Sequence, residues 1–340
     1  MMYRRSFTLI TGALLLLSLI LLSACGGTAD RKPDSVSYVK NKADLAKISK
    51  STKYIQRELF LTDATGLLVP QPTALPDTHT PVKQVLQYLV KDGPVSNLLP
   101  SGFQAVLPSD TVVNSTSLDS GGHLTADFSK DLLGARPEDR ERIVQSIVWT
   151  ATQFDTVNSV TISVAGKVLS EWPGGGQPVG RDLTRADGIN MTFGSVADVT
   201  GSRSQTVYYL ASDKGKSFDV PVTVRVADTA DPLSALVNAM IHEPAGSDFI
   251  SAFNPDIQLL EKPVIKNGVV QLHFNSAIYE DKESKTISDQ ALRSLVLTLT
   301  GESGIRQVSI KIGNSSKVTL ESGKTLTGPV SRSMVNASGL

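Results

Sequence analysis

The sequence predicts an α+β chain built from two tandem small α/β sandwich domains, and three observations predict it. The stretch Asp77–Val90 (DTHTPVKQVLQYLV) returns as Asp228–Ile241 (DTADPLSALVNAMI). The segments on either side of both stretches return as well, in the same order. Between the copies stands Trp172-Pro-Gly-Gly-Gly-Gln-Pro178, dense in helix and strand breakers. A start signal and five apolar positions recurring together mark an internal repeat.

Each domain opens on two strands. LFLTDATGLLVPQ (Leu59–Gln71) parallels YYLASDKGKSFDVPV (Tyr208–Val222): an apolar run, an Asp and a Gly that turn the chain, then Val-Pro. The first helix follows. Val82, Val85, Leu86, Leu89 and Val90 in one copy match Leu233, Leu236, Val237, Met240 and Ile241 in the other. Both sets fall on the stripe of a helix buried along one side. Thr80 and Asp231 suit the N-cap, and Pro81 and Pro232 the first helical position, where a missing N–H costs nothing.

Next, GGHLTADFS (Gly121–Ser129) parallels NGVVQLHFN (Asn267–Asn275), each a glycine turn leading into an alternating strand. The second helix is marked by Ile143, Val144, Ile147, Val148 and Ala151, and by Ala291, Leu292, Leu295, Val296 and Leu299. VTISV (Val160–Val164) and VSIKI (Val308–Ile312) close the domains as half-buried strands. Each domain therefore reads ββαββαβ, an open sheet with two helices on one face. Lys83 and Arg293 stand off the apolar stripes, on what should be exposed helix positions.

The domains are placed at residues 53–170 and 205–320. Residues 171–204 read as a polar linker and 321–340 as a disordered tail. About 115 residues per unit is enough for a core of its own.

Residues 1–24 read as a lipoprotein signal peptide. Arg4 and Arg5 make its positive start and Thr8–Leu22 its apolar run. Leu22-Ser23-Ala24-Cys25 resembles the bacterial lipobox, whose cysteine is diacylated on its thiol after the chain is cut before it. The alternative is an uncleaved anchor, since the run nears the roughly 20 residues that span a bilayer. Cys25 is the only cysteine, so the mature chain would hold no disulfide and no free thiol. Two acyl chains are the number that anchors stably. Residues 25–52 would then tether a body at the extracytoplasmic face of the cell membrane.

Motifs for chemistry are sought and not met. His79, His123, His242 and His273 form no repeated pair, and none has a partner at zinc-ligand spacing. Asp127, Asp131, Glu138 and Asp139, like Glu280, Asp281 and Glu283, read as solvated loop charges. A glycosidase pair is their alternative. Ser37-Tyr38-Val39-Lys40 lies in the tether, and Gly323-Lys324-Thr325 lacks the upstream glycine of a phosphate loop. Gly174–Gly176 reads as linker. No catalytic residue, cofactor or metal is expected. Lys+Arg and Asp+Glu both number 33, with no basic stripe for nucleic acid.

Taken together, Asp63-Ala-Thr-Gly66 with Val69-Pro70, Asp213-Lys-Gly215 with Val220-Pro221, and the strands Gly122–Phe128 and Gly268–Phe274 resemble the tandem GerMN domains of the GerM family of sporulation and germination lipoproteins. The resemblance covers nearly the whole mature chain. It departs at Asp213 and Gly215, which stand one residue closer than Asp63 and Gly66. It implies domains similar to the ring-building modules of secretion systems. It further implies a non-enzymatic lipoprotein on the mother-cell membrane, facing the space before the forespore. There it would support assembly of the mother cell–forespore channel complex through protein contacts, with ring-like self-association. A cell-envelope lipoprotein that binds a ligand or supports peptidoglycan metabolism is the alternative.

Overall fold

Asp63 turns the chain as the sequence predicts. Its Oδ1 accepts hydrogen bonds from the Thr65 N–H, the Thr65 hydroxyl and the Leu67 N–H, while Gly66 takes a φ of 90°. The turn joins β1 (Tyr54–Thr62) to β2 (Leu68–Pro76) as an antiparallel hairpin. This computed structural model describes residues 53–340 except 95, 97, 175–177, 193–199, 214–215, 245–246, 282 and 338–340. The signal peptide, Cys25, the tether and the Lys214-Gly215 turn therefore lie outside the described residues.

The first repeat continues through α1 (Pro81–Gln87), β3 (Val113–Leu118), β4 (His123–Phe128), α2 (Arg140–Ala151), β5 (Ser159–Val164) and β6 (Lys167–Val168). The second runs β7 (Ser202–Asp213), β8 (Lys216–Ala227), α3 (Pro232–Ile241), β9 (Val264–Lys266), β10 (Val269–Phe274), β11 (Thr286–Ile287), α4 (Asp289–Leu299), β12 (Gln307–Ile312), β13 (Thr319–Leu320), β14 (Val330–Ser331) and α5 (Arg332–Ala337). One four-stranded sheet has the order β3-β4-β5-β6 and the other β14-β12-β10-β9, with β4 parallel to β5 and β10 parallel to β12. The hairpins β1–β2 and β7–β8 form two-stranded sheets of their own instead of joining these.

The second helix of each repeat explains that separation. Ser146 Oγ donates to Phe60 O at 2.7 Å, and Phe60 N donates to Thr150 Oγ1 at 3.1 Å. In the second repeat Ser294 Oγ and Thr298 Oγ1 bracket Tyr208 in the same way, at 2.6 and 3.0 Å. Phe60 and Tyr208 therefore turn their backbone groups toward a helix and away from the hairpin partner. Their partners across the hairpin are Pro70 and Pro221. A proline is tolerated at such a position because no ladder bond is asked of its nitrogen. The repeated Val-Pro is thus the back side of helix docking.

Four sequence expectations are corrected. Asp231 accepts from Ser234 N and caps α3, but Thr80 makes no capping bond. Its helix runs only seven residues, so Leu89 and Val90 are buried beyond its end. The described residues of the expected 171–204 linker are not plain linker. Trp172, Val179, Leu183 and Ile189 are buried there, and Leu183 exchanges both backbone bonds with Val160. Nor are residues 321–337 a frayed tail. Val330 pairs with Val308, and Val335 is fully buried beside α4. The two segments are equivalent, since each pairs with the closing strand of its repeat, through the Leu183–Val160 bridge in one and β14 in the other. Their polar composition hid a few apolar anchors, and those anchors decide the packing. Finally, Arg293 is an ion-paired residue, its Nε 2.8 Å from Asp219 Oδ2, and Lys83 donates to Asn114 O.

Candidate functional site

Residues with chemical potential are dispersed. His79 and His242 are exposed on separate turns. His123 Nδ1 lies 2.6 Å from Ser159 Oγ and 3.5 Å from Asp182 Oδ1. A Ser-His-Asp relay needs the two ring nitrogens to serve different partners, and here one nitrogen faces both. His273 Nε2 donates to Gly313 O at 2.7 Å. Its Nδ1 stands 3.0 Å from Glu261 Oε1 but off line for a hydrogen bond. On the equivalent strands β4 and β10, His273 occupies the place of Asp127, so the histidines fall at different positions of the repeat.

The carboxylates are committed locally. Asp127 accepts from Asn114 Nδ2, Ser163 Oγ and Gly166 N, which ties β3, β4 and the β5–β6 turn together. Asp131 accepts from the Ser129 hydroxyl, Asp139 pairs with Arg136 and Arg142, and Asp281 accepts from Ser284 Oγ and Glu283 N. Gly323 takes a φ of 83° in a tight turn where its N–H reaches Leu320 O, so Gly323-Lys324-Thr325 is hairpin chemistry. Among the described residues no cluster of three or more His, Cys, Asp or Glu could hold a metal, and no helix is long and apolar enough to cross a membrane.

What the chain does bring together is the seam between its repeats. Asn190, at a φ of 46°, sends Nδ2 to Leu68 O and to Pro221 O at 2.8 and 2.9 Å, and its Oδ1 accepts from Leu68 N at 2.9 Å. One side chain thereby joins β2 of the first repeat to β8 of the second. Beside it Thr223 N donates to Ile189 O and Ile189 N donates to Thr223 Oγ1, and Phe103 meets Phe218 edge-on with centroids 5.5 Å apart.

Two arginines converge on the same seam. Arg185 Nη2 donates to Trp149 O at 3.3 Å and its Nε to Thr152 Oγ1 at 2.9 Å, with the guanidinium 4.6 Å over the Trp149 ring. Arg332 Nη1 donates to Leu297 O at 2.9 Å and its Nη2 to Tyr208 Oη at 2.6 Å, 5.3 Å over that ring. Both side chains line a cavity of about 300 Å³ and an adjoining one of about 500 Å³. Burial, and then the charge of Arg332, pushes the Arg185 guanidinium down to about 10. Neither arginine stands out in the sequence alone. The available signal was a third matched segment, Leu183-Thr184-Arg185 against Val330-Ser331-Arg332, inside regions read as linker and tail.

Two strand edges are also open, β9 and the part of β3 beyond Val113 and Asn114, which bond Gln87 and Lys83 of α1. β3 and β9 end their sheets, and they present Leu118, Val264 and Ile265 at 42%, 46% and 43% exposure. Unpaired edges with apolar side chains are templates for pairing with another chain.

Comparison with known proteins gives one consistent answer. The Germane family, described as sporulation and spore germination, matches residues 58–170 and again 206–318. The spore germination protein GerM of Bacillus subtilis (strain 168) is 39% identical over 96% of this chain and 97% of its own length. The solved tandem GerMN domains of the B. subtilis sporulation protein GerM superpose with a TM-score of 0.76 at 40% identity, covering 82% of this chain and 97% of that structure.

Proposed function

The chain belongs to the GerM family of tandem-GerMN sporulation and germination proteins, and from that premise we propose that it is a membrane-anchored scaffold for the channel complex joining mother cell and forespore. The observation that carries this reading is the tandem itself, matched over 97% of the solved GerM domains with both repeats present. Its geometry suits a scaffold. Two repeats clamped through Asn190 present equivalent open edges, β3 and β9, on a single body. Edges of that kind support head-to-tail contacts, which close into rings when the rotation permits. The lipobox at Cys25 supports placement on the extracytoplasmic face of the membrane.

The test is complementation. Expressed in a B. subtilis strain lacking GerM, the chain should restore heat-resistant spores and co-purify with membrane proteins of the sporulating cell. An abundant, membrane-bound product that restores nothing would sink the reading.

A further inference from the structure

We propose that the seam between the repeats binds a small oxyanion with two negative charges, held by the guanidiniums of Arg185 and Arg332. Among the described residues, no carboxylate oxygen lies within 4.0 Å of either guanidinium. The partners of both are neutral: the carbonyls of Trp149 and Leu297, and the hydroxyls of Thr152 and Tyr208. Such partners fix direction without cancelling charge. Two like charges taken out of water together are costly unless a counter-charge joins them.

The acids around the seam supply it only from a distance. Glu58 lines the larger cavity and attracts both arginines from beyond contact distance, and Arg57 and Asp155 line the same space. Glu302 lines the smaller cavity, where burial pushes its carboxyl up against the opposing pull of Arg203. The smaller cavity is lined by two cations and one acid.

Its fittings match an oxyanion. A guanidinium has five N–H groups in a fixed fork, and each arginine here uses two nitrogens on the protein. Nε of Arg332 has no bond to the protein among the described residues. Aromatic rings beneath both heads hold the planes still, as bidentate oxyanion recognition requires. Ser204, Gln205, Thr206 and Ser303 add polar groups on the wall. About 300 Å³ sits at the small end of ligand pockets. The ligand class is therefore a phosphomonoester or a compact dicarboxylate. Because Trp149 comes from the first repeat and Tyr208 from the second, an occupant ties the two together.

Inorganic phosphate and malonate are the probes, titrated calorimetrically into the full-length protein in detergent, with chloride matched for ionic strength. Wild type should show saturable one-site binding and a rise in Tm of about 2–4 °C at ten times Kd. Arg185→Gln and Arg332→Lys should each weaken binding at least tenfold, and Arg181→Gln, at an exposed position, should not. Response to phosphate alone assigns the phosphomonoester, and response to malonate alone the dicarboxylate. Should Arg185→Gln fail to fold, the wild-type titration and the charge-conserving Arg332→Lys decide. No saturable binding of either anion by wild type at about 10 mM, or binding unchanged in folded variants, overturns the proposal.

Discussion

Asn190 holds Leu68 by both of its backbone groups, at 2.8 and 2.9 Å, and reaches Pro221 O with the same amide. The contact completes β2 and β8 along edges that neither hairpin partner covers. Its left-handed φ of 46° suits Asn far better than Ala. Asn190→Ala is therefore expected to cost about 2–4 kcal/mol, from unsatisfied backbone groups plus strain. Asn190→Gly removes the bonds but not the permitted φ, so it should cost about 1 kcal/mol less. Denaturant midpoints decide, and equal costs would mean that strain plays no part.

The seam also bears on how the molecule melts. Residues 53–340 form one compact unit, although each repeat was sized to stand alone. Leu86 and Leu236 are fully buried at equivalent points of α1 and α3. Either one changed to Ala should cost about 2–5 kcal/mol. Both changes should move the same single transition. Two resolved transitions, each sensitive to only one variant, would show that the seam does not couple the repeats.

Asp127 sets a pH dependence. Burial pushes its carboxyl up, but bonds from Asn114, Ser163 and Gly166 outweigh burial and hold it below its ordinary 3.8. A carboxylate depressed in the folded state stabilises fully above its unfolded value, and the gain is lost as pH falls through 3.8 toward the folded value. The stability gap between wild type and Asp127→Asn should be widest near neutral pH and narrow below about pH 4. A gap constant across that range would show that the ionised form contributes nothing.

How much of this was legible follows from where the signals lie. Helix stripes, the Asp63–Gly66 turn and the alternating β5 and β12 were readable because burial imposes a period on consecutive residues. Leu183 and Val330 were not. Each is a lone apolar residue in a polar stretch, and its pairing, one bridge or a two-residue strand, is too short to show a period. Asn190 and the arginines were hidden for another reason. Their partners are 31 to 124 positions away, and no local spacing encodes such a contact. Arg293 shows the opposite error. It stands off the apolar stripe as an exposed residue would, yet Asp219 waits opposite it across a gap of 74 positions.

The anchor is tested by chemistry at one atom. Labelled palmitate should enter the wild-type chain, and Cys25→Ala should leave an unlabelled precursor of higher mass. Equal labelling of both proteins would remove Cys25 as the acylated residue.

The last expectation separates surface from chemistry. If the protein works through its edges, Leu118→Lys on β3 and Ile265→Lys on β9 should disrupt partner assembly. Both positions are over two-fifths exposed, and surface changes usually cost within about 0.5 kcal/mol, so folding should survive. A lysine at an edge blocks pairing by placing a charge where a neighbouring strand would lie. By the same logic His123→Ala, Asp131→Ala, His242→Ala and His273→Ala should leave spore counts near wild type, because their side chains share no partner with one another. Spore counts and partner co-purification on the same strains read both halves. Suppose a folded, abundant histidine variant makes no spores while the edge variants sporulate normally. The scaffold reading would then be wrong, and the search for a reaction would begin around that histidine.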